Sequence, residues 1–223
     1  MKKEFFALTS KDRLYPAKLK QIDGSPKKLY LKTSLSEKEV ILLFKKPSLA
    51  IVGSREMTPY GKRVTEDFVS KLSKKGVVIV SGMARGIDTI AHKTALENNG
   101  LTIAVLGCGV DVVYPRENLG IYNDIIGGGA VVSEFAPGTS PEAKNFPVRN
   151  RIISGISDAV LVIEAAKRSG TLITARWAAD QGKEVLVVPG PITSLYSEGV
   201  NWLIKQGAKP VSSIEEILEE LSF

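Results

Sequence analysis

The sequence predicts an α/β fold with a doubly wound, mainly parallel sheet and helices on both of its faces. Apolar runs at 49–53, 77–81, 101–107, 130–134, 159–164 and 184–190 alternate with helix-like segments at 60–75, 87–98, 118–126, 148–157, 171–181 and 199–206, which is the alternation of βαβ units. The runs are continuous in Val, Ile and Leu rather than alternating, as strands buried on both faces are. The length of 223 residues suits one such domain with a full core. We divide it into an N-terminal extension, 1–47, and a core domain, 48–223.

Taken in order, three of the strands end in a small-residue turn that opens a helix. The first turn carries Gly53, Ser54 and Arg55, the second Ser81, Gly82 and Arg85, and the third sets Lys167 and Arg168 before Ser169 and Gly170. Glycine lets backbone N–H groups approach an anion, the helix start adds positive potential, and arginine supplies a forked donor. In a parallel sheet these turns share the edge where strands end, the usual ligand edge. They are expected to form one anion-binding rim.

Between the second and third turns, Pro147 reads as the first residue of a helix. That start places Arg149 and Arg151, around Asn150, in the first turn. Cations there oppose the helix dipole by a few tenths to about 1 kcal/mol, so either an outside anion compensates or the arginines pair with acids such as Glu134 or Glu164. The stretch 136–147 is rich in turn formers and reads as a surface loop carrying Lys144 toward the rim. Phe146 is the best-placed aromatic surface for stacking a base, with core packing as the alternative.

Net charge is +6, and the tail from Ser212 onward holds Glu215, Glu216, Glu219 and Glu220 without a base, leaving +10 on the remainder. This balance favours a polyanionic partner. Cys108 is the single cysteine, which rules out an internal disulfide and fits a reducing cytosol. His92 lies one helical turn after Asp88, so the two could form an acid–histidine relay or a structural hydrogen bond; no serine or cysteine is placed to use a relay. Asp88 could instead hold Arg85 or a loop N–H. The run GCGVDV lacks the third glycine of a dinucleotide fingerprint. No catalytic residue, metal or cofactor is predicted, and no stretch approaches a signal peptide or a membrane span. In the closing helix, Ile214, Ile217, Leu218 and Leu221 form an apolar stripe that its own sheet or a partner must cover.

The ordered series GSR, SGMARGIDTIAH, YPREN, SEF, FPVRNRIISG, SGTLITA, PGPI and GVNWLIKQGA resembles the DNA-processing protein (DprA/Smf) family. The likeness covers about residues 48 to 212, with a weaker lead-in at LYPAKLKQIDGSPKKLYLK. It implies a Rossmann-like core in the cytoplasm that binds and protects incoming single-stranded DNA, forms a homodimer, and loads the RecA recombinase during natural transformation and recombination. Many members carry a helical domain before the core and a winged-helix-like domain after it, so this sequence reads as a core-only version. DNA contacts are then expected at Gly53, Ser54, Arg55, Ser81, Gly82, Arg85, Lys144, Phe146, Arg149, Asn150, Arg151, Lys167, Arg168, Ser169 and Gly170. The rival is a nucleoside monophosphate phosphoribohydrolase of the lysine-decarboxylase-like group. Its PGGxGTxxE pattern needs an acid where RSGTLITARW offers Thr174 and Arg176, leaving Glu134 and Glu164 as possible acids. A nucleotide sensor would use the same rim for one small ligand, whereas this number of cations suits several phosphates in a row.

Overall fold

The computed structural model describes residues 5–221. Among them nine strands form one sheet: β1 (Phe6–Leu8), β2 (Leu29–Lys32), β3 (Ser48–Val52), β4 (Val78–Ser81), β5 (Thr102–Val105), β6 (Ala130–Ser133), β7 (Ala159–Val162), β8 (Glu184–Val187) and β9 (Lys209–Pro210). Their order is β1-β2-β6-β5-β4-β3-β7-β8-β9. β3 to β9 pair in parallel, while β1 with β2 and β2 with β6 are antiparallel. The strand order reverses between β3 and β7, so the crevice beyond their C-terminal ends is a topological switch point.

Every residue of β3, β4, β5, β6 and β7 is buried, as their unbroken apolar runs require. Alternate side chains feed opposite faces. Ala50, Val52, Val78, Val80, Val160 and Val162 pack under α1 (Ala17–Lys20), α2 (Glu37–Lys45), α6 (Asn145–Ile156), α7 (Thr171–Asp180) and α8 (Glu198–Lys205). Leu49, Ile51, Ile79 and Leu161 pack under α3 (Pro59–Lys74), α4 (Ile87–Glu97) and α9 (Ile214–Glu220), and α5 (Leu119–Gly128) lies beside α4. The stripe on α9 is covered by this core, since Ile214, Ile217 and Leu221 are buried in it.

Two boundaries differ from the sequence reading. α6 starts at Asn145, so Pro147 is its third residue and Phe146 belongs to the helix; the preceding loop ends at Lys144. Proline is tolerated throughout a first turn because no intrahelical bond needs its N–H. Residues 5–47 are also built into the sheet through β1 and β2, and Leu8, Leu19, Leu29, Leu31, Val40 and Leu43 share the main core. α6 is closed at its other end by Lys183, whose ammonium donates to the carbonyls of Ser154, Gly155 and Ser157 at 2.6, 2.9 and 2.6 Å. Burial lowers the Lys183 pKa to about 8.

The turns after β3 and β4 interlock. The Ile87 N–H donates to the Ser54 carbonyl at 3.2 Å. Gly86, at φ +74°, lies so close beneath that a Cβ there would stand 2.2 Å from the same carbonyl oxygen. Gly86→Ala therefore combines left-handed strain with a backbone clash. It should cost well over the roughly 1 kcal/mol of strain alone, whereas Gly76→Ala, at φ +81° with open space around it, should cost only that. Thermal unfolding of the two variants checks this, at roughly 2–4 °C per kcal/mol for a chain of this size; equal shifts would contradict the interlock.

Candidate functional site

A cleft of about 830 Å³ opens at the switch point. One wall is the turn after β7, with Arg168, Ser169, Gly170 and Thr171. The floor is the turn after β3, with Gly53, Ser54 and Arg55, and the other wall is the start of α6, with Phe146, Arg149 and Asn150, joined by Tyr114. Most of the sequence-predicted residues thus meet in one place. They do not all face it.

The second turn is already filled from within. Gly82 N–H and Ala84 N–H donate to Asp88 Oδ2 at 3.2 and 3.3 Å, and the Ser81 hydroxyl donates to the Ile51 carbonyl at 2.6 Å. Ser81 and Gly82 are buried, so the cradle expected for an outside anion holds the protein's own carboxylate. The start of α3 is filled in the same way: Glu164, buried, accepts from the Thr58 N–H at 2.9 Å and from the Thr58 hydroxyl. The third turn differs. The Thr171 N–H is taken by Ser169 Oγ at 3.1 Å and the Thr171 hydroxyl donates to the Gly53 carbonyl at 3.0 Å, but the Gly170 N–H has no partner among the described residues and Gly170 is exposed. The start of α7 is the open anion position of the cleft.

Arg149 is 4% exposed. Its Nη1 donates to the Gly82 carbonyl at 2.7 Å and to the Val105 carbonyl, and its Nε donates to Asn150 Oδ1 at 3.1 Å. A Cβ on Gly82 would meet Arg149 Nη2 at 2.7 Å and Asp88 Oδ2 at 2.8 Å, so the missing side chain makes room for both charges. Burial pushes the Arg149 pKa down to about 10, with Asp88 opposing, and burial raises that of Asp88, with Arg149 opposing. The compensating anion for this arginine, which the earlier helix start moves out of the first turn, is internal. Arg151 turns the other way, away from the cleft, and forks onto Glu134 at 2.6 and 2.7 Å while its Nε donates to the Gly24 carbonyl at 3.0 Å. The expected pairing with Glu134 is the one realised, and it removes Arg151 from the rim.

The outward-facing groups are Arg55, Lys167 and Arg168, exposed and without an ion pair among the described residues. Arg55 lies over the Phe146 ring at 5.7 Å, and the buried Arg149 flanks the same ring at the same distance. Tyr114, 41% exposed, packs against Phe146 with centroids 5.6 Å apart and a 40° tilt. This second aromatic was missed in the sequence; its signal was an aromatic in the YPREN segment between strand and helix. Arg85 is exposed and paired with Glu117, and Lys144 is exposed and paired with Glu142 at 2.7 Å. Such surface pairs exchange partners readily.

His92 does not pair with Asp88 as expected. His92 bonds Thr102 Oγ1 at 2.7 Å through Nδ1, not Asp88, and burial followed by the Arg149 charge lowers its pKa to about 3. It is a neutral core histidine. Cys108 is buried, and burial raises its pKa to about 11, the opposite of an activated nucleophile.

A mainly parallel sheet of this order, with an open helix start, unpaired cations and a pair of aromatic rings at its switch point, defines a Rossmann-like domain with a cationic, ring-bearing cleft. The chain belongs to the DNA recombination-mediator protein A family, whose model matches residues 6–222. It is 54% identical over 176 residues to Protein Smf of Escherichia coli (strain K12), covering 78% of this chain and 47% of that protein. It is 42% identical over 212 residues to DNA processing protein DprA of Streptococcus pneumoniae, covering 95% and 73%. The solved structure of the Streptococcus pneumoniae protein superposes with a TM-score of 0.91 at 41% identity, over 99% of this chain and 76% of that one. DNA processing protein A of Helicobacter pylori, described as having a unique single-stranded DNA binding mode, superposes with a TM-score of 0.85 at 31% identity, over 98% and 95%. This chain spans about half the length of the Escherichia coli relative.

Because Arg149 is an internal cation, Arg149→Met should destabilise the fold by about 3–5 kcal/mol, the cost of leaving a buried partner uncompensated. Adding Asp88→Asn should restore part of the loss. Urea unfolding of the single and double variants measures both. A stable Arg149→Met protein that fails only in ligand binding would return Arg149 to the cleft surface.

Proposed function

We propose that this chain binds single-stranded DNA in the switch-point cleft with little base preference, protecting incoming strands and loading RecA onto them in the cytoplasm. The observation that carries the reading is the division of labour between the walls. Arg168 and the open Gly170 N–H line the cleft on one side, with the exposed Lys167 adjacent in sequence, and the Phe146–Tyr114 pair, with Arg55 over the Phe146 ring, lines it on the other. Phosphates suit the first wall and base faces the second. Family membership and the described binding mode of the Helicobacter pylori relative support it. Arg85 and Lys144 join as exposed cations that trade Glu117 and Glu142 for phosphate, Ser54 shapes the floor, and Ser169 and Asn150 shape the two walls.

We read the function as binding rather than catalysis. Glu134 is held by Arg151 and Glu164 by Thr58, so neither acid is presented to a nucleotide sugar as the hydrolase reading needs.

A homodimer is proposed on a separate surface. With the α9 stripe covered, a groove of about 760 Å³ between α7, β8 and α8 offers an apolar surface, lined by Leu172, Trp177, Val185 and Trp202. Trp202 is 48% exposed. Trp202→Asp should convert a sedimenting dimer to monomer; a wild-type monomer at tens of micromolar would refute the proposal.

With about four phosphates neutralised, the log–log salt slope of binding should be near −3, at roughly −0.7 per contact. Arg55→Ala and Arg168→Ala should each weaken binding roughly ten- to a hundredfold, and Lys45→Ala should not. Anisotropy titrations over a salt series, with circular dichroism as the folding control, decide it. A slope near zero, or equal affinities for all three variants, would refute the assignment.

A further inference from the structure

The turns that follow β1 and precede β2 lie on the same edge of the sheet as the cleft. Register fixes this. β2 runs antiparallel to β6 with Tyr30 opposite Ser133, and Leu8 pairs with Leu29, so residues after Leu8 and before Leu29 project past the C-terminal end of β6. Lys11 and Arg13 stand on the first turn and Lys27 and Lys28 on the second. All four are exposed and form no ion pair among the described residues.

The two turns are fixed in place. Asp12 accepts from the Thr9 N–H at 2.6 Å and hydroxyl at 2.7 Å. Tyr15 donates its hydroxyl to the Pro26 carbonyl at 2.8 Å, and Arg151 holds the Gly24 carbonyl at 3.0 Å. The same Arg151 neutralises Glu134, just past the end of β6, between this cluster and the cleft. Asp23 is the other exposed carboxylate of the two turns, so the cluster is net positive. From β3 to β2 is four inter-strand steps along β2-β6-β5-β4-β3, about 19 Å at roughly 4.8 Å each, a gap that a few nucleotides of extended strand can span.

We infer that Lys11, Arg13, Lys27 and Lys28 form a second contact surface for the strand held in the cleft, taking its phosphodiester backbone as it runs across the sheet edge. The inference rests on the single-strand reading of the cleft. The cluster contains flexible cations and no ring, so it binds charge without reading bases, and its contribution is salt-sensitive.

The test is lysine acetylation footprinting by mass spectrometry, with a short oligonucleotide that fills the cleft and one several times longer. The long one should protect Lys11, Lys27 and Lys28; the short one should protect only cleft lysines; Lys45 and Lys46, before β3 at the opposite edge, should stay reactive with both. Lys27→Glu with Lys28→Glu should weaken the long oligonucleotide at least tenfold, lower its salt slope by about 1.4 for two lost contacts, and leave the short one unchanged. Lys45→Glu with Lys46→Glu should alter neither. A dimer offering two clefts also favours longer strands but leaves Lys27 and Lys28 reactive. Unprotected Lys27 and Lys28 under the long strand, or an unchanged ratio of long to short affinity in the double variant, overturns the second surface while leaving the cleft intact. Failure of both oligonucleotides to bind overturns the cleft reading as well.

Discussion

The buried guanidinium of Arg149 holds the site together. It reaches from the first turns of α6 to the carbonyl of Gly82 after β4 and that of Val105 at the end of β5, so one side chain joins three segments that are far apart in sequence. Asp88, which approaches the same bare Cα of Gly82, gathers the N–H groups of the same turn. A buried cation and a buried carboxylate, each costly alone, share one pocket and satisfy the backbone groups around it. Phe146 rides on this arrangement, since Arg149 flanks its ring and fixes where the helix start can sit.

The consequence for the cleft is a sorting of charge. Asp88 and Glu164 fill the anion positions that the βα turns would otherwise offer, and the exposed cations without an ion pair among the described residues are, at these turns, those of the first and third. A phosphate entering the cleft therefore meets Arg168 and the start of α7, with rings opposite. Single strands fit this geometry because their bases are free to stack on Phe146 and Tyr114, whereas duplex bases are already stacked on each other. Cations beyond the cleft on the same edge extend the favourable field without adding base contacts.

Sequence pattern made the sheet legible because β3 to β7 are buried on both faces and leave no alternation to misread. β1, β2 and β9 were harder: they span three, four and two residues and derive their order from pairing, not from composition. The edge carrying the site was legible from the small-residue turns alone, since parallel strands put all such turns together. Which cations face outward was not. Arg149 and Arg151 are two residues apart on α6, yet one turns into the core and the other onto Glu134, and the choice depends on partners 67 and 17 residues distant in sequence. The same holds for Glu164, whose partner Thr58 is 106 residues away. Local reading finds the positively charged helix start; only the fold shows that a carboxylate of the same chain occupies it.

On the proposed function, the cleft takes an extended single strand rather than a duplex or one nucleotide. A competition titration tests it most directly: a labelled single-stranded oligonucleotide bound to the protein is challenged in parallel with the same sequence unlabelled, with its duplex, and with a nucleoside monophosphate. The unlabelled single strand should displace the probe at the lowest concentration, the duplex far less well, and the mononucleotide only at concentrations orders of magnitude higher. Displacement by the duplex at equal or lower concentration, or by the mononucleotide as readily as by the strand, would contradict it.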